Sequence, residues 1–291
     1  MSAASARVED VRYSRYEGEL RGRWAAVWSL ARFGALGALG ARRSWRAKIV
    51  PIALIAIAFT PAFVVLGLKA FVGNRFKPAT VSELIPYNGY YVEIGITVLL
   101  MAAVITPQLL CPERRDNVLS LLFATAVEPR EYVVGKLVAA VLPLALVTTL
   151  PVLVLFAGNT IFADHPLGYV ESYWLDVPRI LVAGTFLGLY FGLTGLAVAS
   201  LTKRRAFAMG GYLAAVILSG AVAGTLVMAA NAGAGFRLLA LGRVPIVTAR
   251  TLFRGDPFTN GVAYGWWWAT SLGVMAVSIL VLLWRYRSAE T

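Results

Sequence analysis

The sequence predicts an all-α integral membrane protein in which six transmembrane helices follow an amphipathic interfacial helix. The chain of 291 residues is 59% hydrophobic and 14% charged, with a mean hydropathy of +0.71. Soluble domains usually carry about a quarter charged residues, and disordered chains are poor in apolar ones. The chain also has six apolar stretches of the length, about 20 residues, that a helix needs to cross a ~30 Å hydrocarbon core. These observations exclude a soluble globule and a disordered chain.

An N-terminal segment, residues 1–48, precedes the first apolar stretch and holds ten of the 27 Lys and Arg residues. No apolar stretch of signal-peptide length precedes Arg42, so we do not expect a signal peptide. Apolar side chains recur in this segment at helical spacing: Trp24, Val27, Trp28, Ala31, Ala35 and Leu39. This pattern, interleaved with arginines, predicts an amphipathic helix in the membrane interface with its aromatic side in the lipid. An ordinary packed helix is the alternative.

Six spans make up the predicted transmembrane domain, residues 49–284. They cover residues 49–68, 92–110, 137–157, 180–201, 206–230 and 266–284, and residues 285–291 follow as a short tail. Membrane helices tolerate proline because neighbouring groups bond to the freed carbonyls. We therefore expect kinks and no breaks at Pro51, Pro61, Pro107, Pro143 and Pro151. An aromatic belt at the ends of the sixth span is predicted by Trp266, Trp267, Trp268 and Trp284.

Lys and Arg residues are distributed unevenly between the two sides of these spans. One side, which includes both termini, would carry 19 of them and the other side 8. Because basic residues are enriched in cytoplasmic connections, this predicts a multi-pass protein of the cell membrane with both termini in the cytoplasm. The excess charge lies beside the spans, and no nucleic-acid-binding motif accompanies it. Membrane lipid, and not nucleic acid, is therefore the expected partner of this charge.

Residue types that carry chemistry are scarce. With one cysteine, Cys111, and one histidine, His165, we expect neither an intramolecular disulfide nor a His-based metal site. The chain lacks a nucleotide-binding phosphate loop, because Arg130 stands where the first glycine would precede Gly135-Lys136. We therefore expect no cofactor in this chain and no ATP hydrolysis by it. The spans are nearly free of ionisable residues apart from Glu93, which argues against an ion-coupled carrier.

Glycines recur at four-residue spacing in two of the spans. They are Gly184, Gly188 and Gly192 in the fourth span and Gly220 and Gly224 in the fifth. Small residues at this spacing allow the backbones of two membrane helices to approach closely. The pattern predicts helix packing, either within one chain, which we favour, or between subunits.

The connection between the second and third spans, residues 111–136, is predicted to be a structured elbow. Asp116 would begin a short helix as its N-cap residue, and Glu128 would precede a new helix with Pro129 at its first position. An apolar stripe on the short helix would consist of Val118, Leu121, Leu122 and Thr125. An exposed apolar stripe predicts a protein partner, and a helix lying on the lipid surface is the alternative.

The same region resembles the ABC-2 type permease family, the membrane subunits of ATP-binding-cassette transporters, which are mostly exporters. The resemblance lies in the run from Pro107 through Leu110-Cys-Pro-Glu113-Arg114-Arg115, in Val118-Leu119 and Leu121-Leu122, and in Arg130-Glu-Tyr132-Val-Val-Gly135-Lys136. The chain departs from the family at Thr125-Ala-Val-Glu-Pro129, where Ser/Thr-Pro-[Val/Leu]-Ser-Arg is common. The proline is therefore displaced by three positions.

The resemblance implies a type V exporter-like (ABC-2) architecture with an N-terminal connecting helix. It also implies a dimer with a second permease subunit, the same or a related chain, and separate cassette ATPase subunits that hold ATP and Mg. The short helix after the second span would dock in a cleft of the ATPase and couple ATP hydrolysis to transport. The residues to which the resemblance assigns this coupling are Glu113, Arg114, Val118, Leu121, Leu122 and Thr125.

Two other classes of protein fit parts of the pattern. A non-transporting membrane anchor for an ATPase complex would share the topology and the partner-binding helix. A membrane-embedded enzyme would need clustered ionisable groups, and the nearest candidates lie in the outer connection after the third span: Asp164, His165, Glu171 and Asp176. Because these groups are few and scattered, an enzyme is the weaker alternative.

Overall fold

The chain is described here from a computed structural model. The residues that the structure describes are 22–41, 45–72, 86–118, 128–163, 165–230, 233–253, 259 and 261–287. These ranges are helical and contain no strand. The α-helices are α1 (Arg23–Ala38), α2 (Trp45–Val72), α3 (Tyr87–Glu93), α4 (Gly95–Arg115), α5 (Pro129–Ile161), α6 (Pro166–Tyr173), α7 (Asp176–Ser200), α8 (Arg205–Met228), α9 (Val244–Arg250) and α10 (Tyr264–Arg287). A 3₁₀ helix, Ala234–Leu239, lies between α8 and α9.

Six of the described helices, α2, α4, α5, α7, α8 and α10, are long and apolar enough to cross a membrane. The qualifying stretches are Lys48–Phe71, Gly95–Arg115, Pro129–Ile161, Asp176–Ser200, Arg205–Met228 and Tyr264–Tyr286. The prediction of an all-α chain with six candidate spans is confirmed at this level. The largest difference in the boundaries is at α5, whose helix begins at Pro129 and not near residue 137.

The helices continue through their prolines, as predicted. Both prolines of α2 and both of α5 lie inside unbroken helices, and so does Pro107 of α4. Side-chain hydroxyls add bonds to backbone carbonyls: Thr106 Oγ1 donates to the Ala102 carbonyl at 2.8 Å, and Thr148 Oγ1 donates to the Leu144 carbonyl at 3.0 Å. Such bonds supplement helices in which proline has removed a backbone donor.

The second predicted span is divided near its start. Helix α3 ends at Glu93, and α4 begins at Gly95. A Cβ atom at Gly95 would lie 2.6 Å from Ile246 Cδ1, so glycine permits the close approach of α9 at this point. Glu93 is exposed at this division.

Helices α5 and α7 form the centre of the bundle, and the glycine stripe of α7 is the surface by which they meet. A Cβ atom at Gly184 would lie 2.1 Å from Thr149 Oγ1, and one at Gly188 would lie 3.0 Å from the Ala145 backbone nitrogen. Gly192 faces the same helix, with Val141 Cγ2 3.4 Å from its Cβ position. The stripe on α7 therefore packs within the chain.

Gly220 and Gly224 of α8 do not share this packing. No heavy atom of the described chain lies within 4 Å of a Cβ placed on either residue. In the apolar stretch of the central helix α7, 72% of the residues are buried, whereas in that of α8 only 17% are buried. The expectation of packing within one chain therefore fails for these two glycines, which face open space.

Helix α1 packs on the bundle while leaving its tryptophans exposed. Val27, Ala31 and Ala35 are buried, and Leu30 lies 2.9 Å from the Cβ position of Gly135 on α5. Trp24 and Trp28 are 77% and 57% exposed. One side of α1 is therefore packed on the bundle, as in the alternative of an ordinary packed helix. Insertion of the other side in the membrane interface stays a prediction.

The tryptophans of α10 divide between the surface and the interior. Trp266 and Trp284 are exposed, whereas Trp267 is fully buried. Trp268 packs against Phe186 with ring centroids 5.2 Å apart. Successive helical residues point about 100° apart because a turn holds 3.6 residues. The predicted aromatic belt is therefore wrong for Trp267, whereas Trp268 packs against the bundle and stays partly exposed.

Candidate functional site

The candidate site lies where α4 ends and α5 begins. Glu128 is the N-cap residue of α5 and Pro129 occupies its first turn, as predicted. The backbone N–H of Glu128 donates to Glu131 Oε2 at 3.0 Å, which satisfies a donor at this helix end. Arg23 Nη1 donates to Glu128 Oε1 at 2.9 Å and connects α1 to the start of α5. Both side chains of this ion pair are more than half exposed, so it adds little stability.

The prediction that Asp116 begins a helix is wrong. Asp116 is the C-cap residue of α4, and its N–H donates to the Pro112 carbonyl at 2.9 Å. Its carboxylate accepts a bond from Arg115 Nε at 2.9 Å. Asn117 then has a φ of 52°, the left-handed conformation in which asparagine is one of the favoured residues. The chain thus leaves the helix axis at Asn117.

Val118 is the first of the four residues of the predicted apolar stripe, and the structure describes this one of them. Its side chain is 39% exposed, and its N–H donates to the Glu113 carbonyl at 3.0 Å. The other stripe residues, Leu121, Leu122 and Thr125, lie outside the described residues. The coupling role of all four residues stays a prediction.

Glu113 connects the last turn of α4 to the first turns of α5. Lys136 Nζ donates to Glu113 Oε1, and Tyr132 OH donates to Glu113 Oε2 at 2.5 Å. Lys136 is 4% exposed, whereas the Glu113 side chain is 27% exposed. The Glu113 carboxylate therefore holds the end of α4 against the start of α5.

Arg114 points into the bundle. It is 8% exposed, and its Nη1 donates to the Ser200 carbonyl at the last residue of α7. A cation at this position compensates carbonyls that the helix end leaves unpaired. The guanidinium of Arg114 therefore binds α7, and its role in coupling stays a prediction.

We call Glu113, Arg114, Tyr132 and Lys136 the elbow network. Through Arg114 it also reaches α7, and through Tyr132 it reaches α10, since the rings of Tyr132 and Tyr286 lie 5.2 Å apart. Four candidate spans are thereby joined at one end of the bundle.

A second polar network lies at the C-terminal ends of α2 and α5, at the end of α5 opposite to the elbow network. Lys69 Nζ donates to Asn159 Oδ1 at 2.7 Å, and Asn159 Nδ2 donates to Tyr87 OH at 2.9 Å. Tyr87 OH and Tyr169 OH are 2.7 Å apart. Burial and the bond with Tyr169 raise the pKa of Tyr87 well above its usual value. The network fixes α3 and α6 to the bundle, and the sequence analysis did not find it.

Of the four residues considered for an enzyme, the structure describes His165, Glu171 and Asp176. Asp176 pairs with Arg179 at 2.8 Å, Glu171 is exposed, and His165 is the N-cap residue of α6 without a side-chain bond to that helix. Asp164 lies outside the described residues. Within the described ranges, no group of three or more His, Cys, Asp or Glu residues is placed to hold a metal ion.

In comparisons with known proteins, no family model and no curated protein matches this chain. A functional proposal therefore depends on the residues of the elbow, the architecture of the bundle and the resemblance of the sequence motifs.

Proposed function

We propose that this chain is the permease subunit of an ABC transporter, an exporter with ABC-2, type V exporter-like architecture. It would reside in the cell membrane with both termini in the cytoplasm. The observation that carries the proposal is the elbow network, in which Glu113 at the end of α4 binds Lys136 and Tyr132 of α5. These residues are the ones on which the resemblance to the ABC-2 family also depends.

In the proposed mechanism, ATP hydrolysis and the movement of the transmembrane helices take place in different subunits. Cassette ATPase subunits would hold ATP and Mg and perform the hydrolysis. The apolar stripe of the elbow, Val118, Leu121, Leu122 and Thr125, would bind the ATPase, and closure of the ATPase pair would move the α4–α5 connection. The elbow network would pass this movement to α7 and α10, and ATP binding would thereby select between two arrangements of the bundle.

A second permease subunit, the same or a related chain, would complete the path. In the apolar stretches of helices α2, α8 and α10, only 17% to 28% of the residues are buried. Such exposed apolar surface is available to lipid and to a second subunit. The apolar character of the spans favours a hydrophobic or amphipathic cargo.

Purification of the full chain with and without candidate cassette ATPases from the same genome tests this proposal. We expect one ATPase to co-purify, and we expect ATP turnover by the complex but none by the chain alone. Turnover that increases when cargo is transported supports a permease. Stable binding without any transport-linked change in turnover would favour the non-transporting anchor, and the absence of any ATPase partner would refute both.

A further inference from the structure

Helix α6, in the connection between α5 and α7, leaves one apolar side uncovered by the described part of the chain. None of its eight residues is buried. Leu167 and Val170 are 81% and 39% exposed, and Trp174, the C-cap residue, is 58% exposed. These three side chains share one side of the helix, because spacings of three and four residues correspond to about one turn. Exposed apolar surface of this extent marks contact with a membrane or a protein.

A different side of α6 is held by the bundle. The ring of Tyr169 packs against Phe156 of α5, with centroids 6.0 Å apart, and against Tyr173, with centroids 4.7 Å apart. The hydroxyl of Tyr169 also lies 2.7 Å from the hydroxyl of Tyr87. These contacts fix the rotation of the helix about its axis, so that the side with Leu167 points away from the bundle.

The contacts of α6 also place it at the level where two candidate spans end. Tyr87 OH, which bonds with Tyr169, accepts a bond from Asn159 in the last turn of α5. Asn159 in turn accepts from Lys69, in the last turn of α2. Amide and ammonium groups at helix ends mark the boundary between hydrocarbon and headgroups, because burying them in hydrocarbon is costly.

The chain on both sides of α6 keeps it near this boundary. The helix begins at Pro166, five residues after α5 ends, and α7 begins three residues after α6 ends. Ile161 and Phe162, at the end of α5, are exposed as well. The apolar side of α6 therefore adjoins helix ends that themselves present apolar side chains.

Charge does not account for an attachment of α6 to a membrane surface. Residues 162–178 contain no Lys or Arg, and they include Asp164, Glu171 and Asp176. Anionic headgroups would not attract such a segment. Trp174 and Tyr173, by contrast, are residue types that are enriched where a membrane meets water.

We propose that α6 is an interfacial helix that inserts Leu167, Val170 and Trp174 into the lipid leaflet at the end of the bundle opposite to the elbow. Its attachment depends on burial of these apolar side chains and not on lipid charge. Gly168, Glu171 and Ser172 lie on the remaining side of the helix and are exposed, so they face water. The inserted helix holds the far end of α5, the helix that begins at the elbow.

Spin labels on single cysteines test the proposal in the full chain, in a Cys111→Ser background and in nanodiscs. Leu167→Cys and Val170→Cys report on the apolar side, and Gly168→Cys and Ser172→Cys are the matched controls on the polar side. A Cβ at Gly168 would meet its nearest neighbour, His165 Cβ, at an ordinary 3.7 Å. Collisions of each label with oxygen, which concentrates in hydrocarbon, and with a water-soluble nickel chelate are measured by electron paramagnetic resonance.

We expect the ratio of oxygen to nickel accessibility to be at least about threefold higher at residues 167 and 170 than at residues 168 and 172. The same pattern is expected in phosphatidylcholine alone and in phosphatidylcholine mixed with phosphatidylglycerol, because the segment has no basic residue. The measurement needs no ATPase subunit, so its outcome is independent of the proposed transport function.

Three results would overturn the proposal. Equal ratios on the two sides, with high nickel accessibility, would place α6 in water. Low accessibility of residues 167 and 170 to both reagents would mean that protein, from this chain or a second copy, covers the apolar side. A pattern that appears only with phosphatidylglycerol would mean that lipid charge, and not apolar burial, attaches the helix.

Discussion

Breaking the Glu113–Lys136 ion pair should destabilise the chain unequally, depending on which partner is removed. Glu113→Gln leaves Lys136, which is 4% exposed, as a buried cation without its carboxylate. Removing one partner of a buried pair typically costs about 3–5 kcal/mol. Lys136→Met leaves Glu113, which is partly exposed and keeps the bond from Tyr132 OH. For this variant we expect a smaller loss, about 1–3 kcal/mol.

The free energy of unfolding is measured by SDS titration in mixed micelles, with tryptophan fluorescence as the signal. The double variant Glu113→Gln/Lys136→Met should lose less than the sum of the single losses, because the two side chains interact directly. Arg23→Gln is the matched control, since its pair with Glu128 is exposed and should contribute less than about 1 kcal/mol. A loss for Glu113→Gln no larger than the control, or additive effects in the double variant, would refute the role of this pair.

Two further predictions concern the topology and the packing of the bundle. Cysteines placed at Ser120 and Asn231 in a Cys111→Ser background should react with impermeant thiol reagents from opposite sides of the membrane; labelling of both from outside would contradict the 19-to-8 distribution of basic residues. Gly188→Val should lower the free energy of unfolding by about 1–3 kcal/mol, because its Cβ would meet the α5 backbone at 3.0 Å. Gly210→Val, in open space, should be nearly neutral, and equal losses in the same SDS titration would exclude close packing as the cause.

The spans could be predicted from the sequence because length and hydropathy are local properties. The glycine stripe of α7 could also be found, but its partner could not, because nothing in the spacing distinguishes α5 from another subunit. Gly224 has the same spacing, but nothing in the described part of the chain packs against its Cβ position, which shows how little the motif alone specifies.

Helix α4 continues beyond residue 110, where the sequence predicts the end of the second span. Hydropathy falls after residue 110 because Glu113 and Arg114 are charged, and Pro112 is a helix-breaking residue. The helix nevertheless continues to Arg115, since contacts distant in sequence compensate both charges. Lys136 binds Glu113, and the Ser200 carbonyl accepts from Arg114. The sequence does not predict the buried helix α9, because its seven residues are too few for a helical repeat of apolar side chains to be recognised.

The central claim is that the elbow, residues 111–136, docks into a cassette ATPase through its apolar stripe, and replacement of Leu122 tests it most directly. The affinity of the ATPase subunit for the full chain in nanodiscs is compared among the parent, Leu122→Asp and Leu122→Met. Burying a carboxylate without a partner costs several kcal/mol, so Leu122→Asp should weaken binding about 100-fold or more and abolish transport-linked ATP turnover. Leu122→Met keeps an apolar side chain of similar size and should bind as the parent does. If Leu122→Asp binds its ATPase and transports as well as the parent, these residues do not couple the subunits, and the alternative of a helix on the lipid surface is correct.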